Sequence, residues 1–277
     1  MKIAIASGKG GTGKTTLAVN LALSLKSEVL LLDCDVEAPN THVFLKGEPI
    51  GNRIVTIPSP VVDEAKCNGC GECGDFCAFN AIITFGTVPV ISYDMCHGCG
   101  GCVRVCPQKA LKEFERRIGI IETFQCDRIK LIQGRLDVGG ALSPPLIRAV
   151  CSEAKSGLAI MDAPPGTSCP VVATVREADY VILVTEPTPF GLNDLRLAVG
   201  VMRELSLPFG VVINRMDDAE DKLIEHYLEE EEIPLLAVIP NDRRIAELYA
   251  IGKPIFGSLP EYDGIFTGIM KTIHEGA

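Results

Sequence analysis

The sequence predicts an α/β fold built on a mostly parallel sheet and interrupted by a small inserted α+β domain. Three observations carry this. Short runs rich in Val, Ile and Leu alternate with helical stretches at both ends of the chain, and a glycine loop joins the first run to the first helix. Between Pro60 and about Phe114 the alternation gives way to Cys, Gly and small residues. The expected division is therefore 1–60 with 115–277 for the discontinuous main domain, and 61–114 for the insert.

In order along the chain, residues 2–6 (KIAIA) and 28–33 (EVLLLD) flank an amphipathic stretch, Thr15–Lys26, and read as a βαβ unit. Residues 118–124 (IGIIETF) and 129–136 (IKLIQGRL) read as a hairpin or edge pair. Apolar runs at 157–161, 180–184, 209–213 and 235–239 follow, each succeeded by a helical stretch. Strands buried on both faces by crossover helices have this continuous apolar character.

Composition narrows the function. A chain of 277 residues with 47% hydrophobic content can bury a large core. Its formal net charge is −10, and no basic run exceeds the pairs Arg116-Arg117 and Arg243-Arg244, which argues against nucleic acid as a partner. The opening apolar run is too short for a signal peptide, and no stretch approaches ~20 apolar residues, so a cytoplasmic protein without stable membrane insertion is expected. Eight of the twelve cysteines crowd into residues 67–106, a pattern that suits metal binding better than disulfides.

Gly8-Lys9-Gly10-Gly11-Thr12-Gly13-Lys14-Thr15 fits G-x(4)-G-K-[ST] between a predicted strand and a predicted helix. Glycines let backbone N–H groups wrap a β-phosphate, and the helix N-terminus adds positive potential. Lys14 then pairs with the β/γ oxygens while the Thr15 hydroxyl ligates Mg²⁺. The fold expected around such a loop is of the P-loop NTPase type.

With Lys9 inside the loop and Thr16 after it, KGGTGKTT resembles the deviant Walker A motif of the MinD/ParA/Mrp/nitrogenase iron protein superfamily. That resemblance covers nearly the whole chain. It implies ATP as ligand and a homodimer around the nucleotide, in which Lys9 reaches the partner's phosphates. Asp33-Cys-Asp35 looks like switch I, with Asp35 positioning the attacking water and Asp33 near Mg²⁺. Asp162-Ala-Pro-Pro-Gly166-Thr167 resembles Walker B running into switch II, with Asp162 on Mg²⁺ through water and Gly166 sensing the γ-phosphate. Thr185-Glu-Pro-Thr-Pro-Phe-Gly191 also looks like this family. Asn214 and Arg215 match its adenine-reading segment, and Pro240-Asn241-Asp242 the loop that packs on the base.

The insert holds a repeat. Cys67-Asn-Gly-Cys70-Gly-Glu-Cys73-(x3)-Cys77 is echoed 29 residues later by Cys96-His-Gly-Cys99-Gly-Gly-Cys102-(x3)-Cys106. Thiolates at C-x2-C-x2-C-x3-C are the spacing of bacterial-type ferredoxins, whose fourth cysteine serves the other cluster. Cys67, Cys70, Cys73 and Cys106 are thus expected on one 4Fe–4S cluster, and Cys96, Cys99, Cys102 and Cys77 on its twin. Amide bonds to sulfur are expected from Gly69, Gly71, Gly98 and Gly100. Structural zinc usually takes C-x2-C pairs set further apart. Cys34, Cys126, Cys151 and Cys169 read as buried thiols, and Cys169 also stands at the offset of a bridging-cluster ligand in the nitrogenase iron protein. The stripe Ile265, Phe266, Ile269, Met270 and Ile273 reads as a core-docked helix in preference to a membrane anchor.

Three functions are compatible with these motifs. The leading one is an ATP-hydrolysing homodimer coupling nucleotide switching to electron transfer through two clusters, with a redox or cluster-accepting protein as partner. The second is an iron–sulfur scaffold or carrier ATPase. A MinD-like positioning ATPase, the third, has no need of redox centres.

Overall fold

The computed structural model describes residues 1–217 and 222–276. It divides into two compact units: Met1–Asn52 with Ile121–Arg135 and Ile147–Ala277, and Arg53–Ile120 with Leu136–Leu146. The unit holding the eight clustered cysteines is therefore wider than the 61–114 expected for the insert.

The first unit carries the sheet. Its strands are β1 (Lys2–Ala6), β2 (Val29–Asp33), the start of β3 (Glu48–Val62), the end of β6 (Leu111–Cys126), β7 (Ile129–Leu136), β8 (Ala159–Asp162), β9 (Tyr180–Thr185), β10 (Phe209–Met216) and β11 (Leu235–Pro240). The order across the sheet is β11-β10-β9-β1-β8-β2-β7-β6-β3. From β11 to β7 every adjacent pair is parallel. Register brings Ile5 and Asp33 opposite Asp162, so β1, β2 and β8 end together. Open α/β sheets bind ligands at the carboxyl ends of their strands.

Helices α1 (Lys14–Ser24), α4 (Ser143–Cys151), α5 (Cys169–Val175), α6 (Pro189–Glu204), α7 (Leu223–Glu230), α8 (Arg243–Ala250) and α9 (Asp263–Gly276) connect or cover these strands. The expected amphipathic α1 is buried almost all round, from Leu17 through Ala22. The reason is that α9 packs on it as well as the sheet. The C-terminal stripe is this cover: Phe266 and Ile269 are fully buried, Ile273 nearly so, in one apolar cluster with Leu17 and Leu21. No helix among the described residues is long and apolar enough to cross a membrane.

Two strand readings change. The pair β6–β7 is a hairpin turning at Asp127, whose φ of 53° suits an Asp in a tight turn. It is not an edge pair, because β7 lies between β2 and β6. The edge belongs to β3, which the sequence hid behind Pro49, Pro58 and Pro60. Proline cannot donate to a ladder, and an edge strand is where a sheet tolerates it.

In the second unit β3 and β6 continue, joined by α2 (Glu72–Phe76), β4 (Ile82–Phe85), β5 (Val88–Ile91) and α3 (Gly101–Val105). The antiparallel pair β4–β5 is a sheet of its own. Its small core is Cys73, Ile82, Cys102 and Leu111, and Ala81 and Ala110 are also buried, as the repeat implies. Cysteines thus supply half of a core too small to stand on aliphatic burial alone.

Phe266→Ala should lower unfolding free energy by about 3–5 kcal/mol through the cavity it leaves. Phe190→Ala, at an 80% exposed position, should stay within about 0.5 kcal/mol. Denaturant titration of both variants checks this, and equal small effects would mean that α9 is not docked.

Candidate functional site

The loop from Ser7 to Gly13 turns out of β1 into α1. Gly13 holds φ 97° at the helix start, a left-handed conformation natural to glycine. A Cβ there would also come within 2.3 Å of Asn214 Nδ2. Asn214 uses that space to donate from Nδ2 to the Thr12 carbonyl at 2.8 Å, while its Oδ1 accepts from the Arg215 N–H at 3.0 Å. One donor bond of this asparagine is therefore directed at the loop itself. Ser7 Oγ donates to the Lys9 carbonyl at 2.6 Å and pins the loop's other side.

A cavity of about 320 Å³ opens beside this loop. From the sequence-predicted residues it gathers Gly10, Gly11, Gly13, Lys14, Thr15 and Thr16, then Asp35, then Asn214, Arg215, Pro240, Asn241 and Asp242. Gly8, Lys9, Thr12, Asp33, Asp162 and Gly166 do not line it. The lining also includes Asn40, Ile245, Ala246 and Tyr249, which the sequence reading missed. The α8 residues among them recur at one helical face, a signal visible only once Asp242 is known to cap that helix, where its side chain accepts from Arg244 N–H.

Charge is crowded at the strand ends. Thr15 Oγ1 donates to Asp162 Oδ2 at 2.6 Å, and Asp162 Oδ1 is buried with no protein partner. Asp33 accepts backbone N–H bonds from Asn40 and Thr41 on one oxygen, both at 3.0 Å, and from Asp35 on the other at 3.2 Å. It thereby ties the segment after β2 to the strand end. Burial pushes the Asp162 carboxyl well above its ordinary range, and the nearby Asp33 charge adds to this. Asp33 is raised by burial against its amide bonds. Asp35 rises to about 6, from burial first and the Asp33 charge second, with Lys14 opposing. Desolvation lowers Lys14 although Asp162 and Asp35 counter it. Three carboxylates and one lysine make a site short of positive charge. An orphaned buried carboxylate oxygen beside a threonine hydroxyl fits a hard cation of the Mg²⁺ kind.

In the second unit each cysteine run turns on glycines at positive φ: Gly69 and Gly71 before α2, Gly98 and Gly100 before α3. Cys67, Cys70, Cys73 and Cys106 line one small cavity of about 20 Å³. Cys77, Cys96, Cys99 and Cys102 line another, of about 80 Å³, with Phe76, Phe79 and His97. In each case three cysteines come from one run and the fourth from the other. No three His, Cys, Asp or Glu side chains among the described residues gather around a single ion; the thiols instead border cavities. Ala81 N–H donates to Cys77 Sγ and Ala110 N–H to Cys106 Sγ, each at 3.3 Å. The fourth cysteine of each run is thus held by an amide from the residue four positions on.

Of the remaining thiols, Cys34, Cys126 and Cys151 are buried, with Cys34 and Cys151 sulfurs 3.7 Å apart. Cys169 is exposed at the start of α5, against the buried reading.

The family described as the CobQ/CobB/MinD/ParA nucleotide binding domain matches residues 3–255. Among relatives, the chain is 35% identical over 226 residues to an uncharacterised Methanocaldococcus jannaschii protein, MJ0578, covering 78% of each. It is 25% identical over 281 residues to the iron-sulfur cluster carrier protein of Pyrococcus abyssi, covering 94% of this chain and 81% of that one. Among solved structures, the septum site-determining protein MinD of Pyrococcus horikoshii, complexed with Mg-ADP, aligns with a TM-score of 0.62 at 22% identity, over 98% of this chain and 95% of that one. The P-loop between β1 and α1, the parallel sheet and the extent of the match place this chain in the CobQ/CobB/MinD/ParA nucleotide-binding family.

Proposed function

We propose that the protein is an ATP-binding and ATP-hydrolysing iron–sulfur protein, a homodimer around nucleotide that couples nucleotide switching to electron transfer through two 4Fe–4S clusters. The observation that carries the iron–sulfur part is the sorting of eight cysteines into two cavities, each with a fourth member from the other run. Crossed ligation of this kind is what two-cluster ferredoxins need.

On this reading the backbone of Gly8, Gly10, Gly11, Thr12 and Gly13 cradles the phosphates, Lys14 pairs with the β/γ oxygens, and Thr16 closes the first turn of α1. Thr15 and Asp162 would hold Mg²⁺, with Asp33 behind them; when bound, the ion offsets phosphate charge and relieves the desolvated carboxylates. Asp35, raised to about 6, is poised to orient a water and share its proton near neutral pH. Gly166, at φ 93°, has the backbone freedom to follow a γ-phosphate. Asn214, Arg215, Pro240, Asn241 and Asp242 frame the base. Lys9 acts on the phosphates of a second copy.

Cys67, Cys70, Cys73 and Cys106 would hold one cluster, and Cys77, Cys96, Cys99 and Cys102 the other, supplying one-electron storage. Each set keeps one exposed thiol position, Cys70 and Cys99, near which a protein redox partner can approach. The second reading, a cluster carrier, is favoured by the name of the Pyrococcus abyssi relative. Complete four-cysteine sets suit storage better than donation.

Lys14→Ala should abolish nucleotide binding, whereas Lys9→Ala should preserve it and lower turnover at least about ten-fold, as loss of a trans-acting cation does. Equilibrium binding and steady-state hydrolysis separate the two, and a Lys9→Ala enzyme with wild-type turnover would remove the trans role.

Anaerobically prepared protein should contain about eight irons per chain. Cys70→Ser and Cys106→Ser should each perturb the same one of two EPR-active centres, and Cys77→Ser the other. One zinc per cysteine run, found by metal analysis, sinks the cluster assignment.

If nucleotide and clusters are coupled, reduction must change ATP affinity by the factor by which ATP changes reduction, roughly 5–150-fold for typical couplings. ATP affinity of an Asp35→Asn variant, measured oxidised and dithionite-reduced, reports this directly. Equal affinities would mean that the two cofactors merely share a chain.

A further inference from the structure

Glu186 follows β9 directly, outside the residues that line the cavity beside the phosphate loop. Its carboxylate is mostly withdrawn from water, with 13% of the side chain exposed. It carries two cations. Oε2 lies 3.0 Å from Lys9 Nζ, and Oε1 accepts from Arg215 Nη1. Lys9 is about one-third exposed and Arg215 more than half. The Lys9 backbone is pinned by Ser7, so its side chain is the part free to swing. Arg215 holds φ 59°, a conformation unusual for a residue with a Cβ, supported by its N–H bond to Asn214.

We propose that Glu186 is a latch: it stores Lys9 within its own chain and releases it when nucleotide-loaded copies meet. The proposal rests on the reading of Lys9 as the residue that serves a partner's phosphates. An ammonium seated on Glu186 has to give up that ion pair to extend across an interface. Exposed ion pairs count for little, but a mostly buried carboxylate that lost its sole partner would resist. Arg215 removes that obstacle. It stays on the other oxygen when Lys9 leaves, so the carboxylate is never stranded. Glu186 thereby sets the threshold for assembly, and Arg215 lowers it.

Opposite signs follow for two substitutions. In Glu186→Gln the latch is weakened, so ATP-dependent activity should reach half its maximum at about three- to ten-fold lower protein concentration. In Arg215→Gln, Lys9 becomes the only partner of Glu186, and the half-maximal concentration should rise by a similar factor. The experiment uses anaerobically prepared full-length protein at nucleotide saturating for each variant, with hydrolysis and light scattering followed against protein concentration. Binding of fluorescent ADP at low protein concentration shows that each variant folds and gives its own nucleotide affinity, which for Arg215→Gln, a residue of the pocket lining, sets the saturating concentration used. In Lys9→Ala/Glu186→Gln the shift should vanish, since nothing remains to be latched. Glu186→Gln superimposing on wild type, while Lys9→Ala still lowers turnover, overturns the latch alone. Both variants shifting the same way does so too. Lys9→Ala indistinguishable from wild type overturns the trans-acting reading, and the latch with it.

Discussion

Taking Asp162 out of water costs free energy that its one bond to Thr15 does not return, and the rest of the first unit is arranged around that cost. The residue sits at the end of β8 in register with Asp33 and Ile5, so it cannot turn away without breaking the pairing of three parallel strands. Its second oxygen is buried and unpaired. A buried carboxylate kept in that state either takes up a proton or waits for a cation. Lys14 is itself desolvated by burial, and one lysine faces three carboxylates, Asp33, Asp35 and Asp162. On the proposed function, a divalent ion arriving with a polyphosphate would supply what is missing, and that would give a physical reason for the neighbouring segment after Asp33 to respond to it.

The second unit solves a different deficit. A core of Ile82, Leu111 and two cysteines, with partly buried Val62, Ile91 and Val103 around it, offers little apolar area. Units of this size usually need disulfides, metals or association. Crossed ligation would answer that need by stapling the two halves of the repeat to each other. With uncrossed sets, each run would close on itself and leave the halves joined only by the α2–α3 contact and the small β4–β5 sheet. The amide bonds from Ala81 and Ala110 fall on the two cysteines that make the crossing, where a misplaced thiol would be most harmful.

Much of this was legible in the sequence because it depends on local chemistry. Continuous apolar runs mark strands covered on both faces, and they located β8 through β11 to within a few residues. The phosphate loop was legible from glycine spacing, and the cysteine sorting from its repeat. What stayed hidden depends on neighbours. Edge strand β3 carries prolines that read as breakers until its position is known. The character of α1 was misjudged because α9, some 240 residues later, covers its outer side. Asn40 and Tyr249 reach the pocket from segments whose own patterns say nothing of phosphate or base. Glu186 was visible as part of a motif, but its two cations come from loops far apart in sequence.

These neighbour effects also bear on how a nucleotide site and a cysteine site can share one chain. The chain passes between the units four times: inside β3 at residues 52–53, inside β6 at 120–121, at the end of β7 at 135–136 and inside α4 at 146–147. None of these crossings is a Gly/Ser tether of the sort that lets a module ride passively. The start of β3 is separated from the Asp33 anchor by a segment whose Asn40 and Thr41 amides are held on that carboxylate. Any rearrangement that loosens those bonds pulls on a strand and not on a slack linker. If the sites are linked as proposed, continuous backbone is the physical means, and the size of the linkage would follow how far the Asp33 bonds differ between the nucleotide-free and nucleotide-bound states.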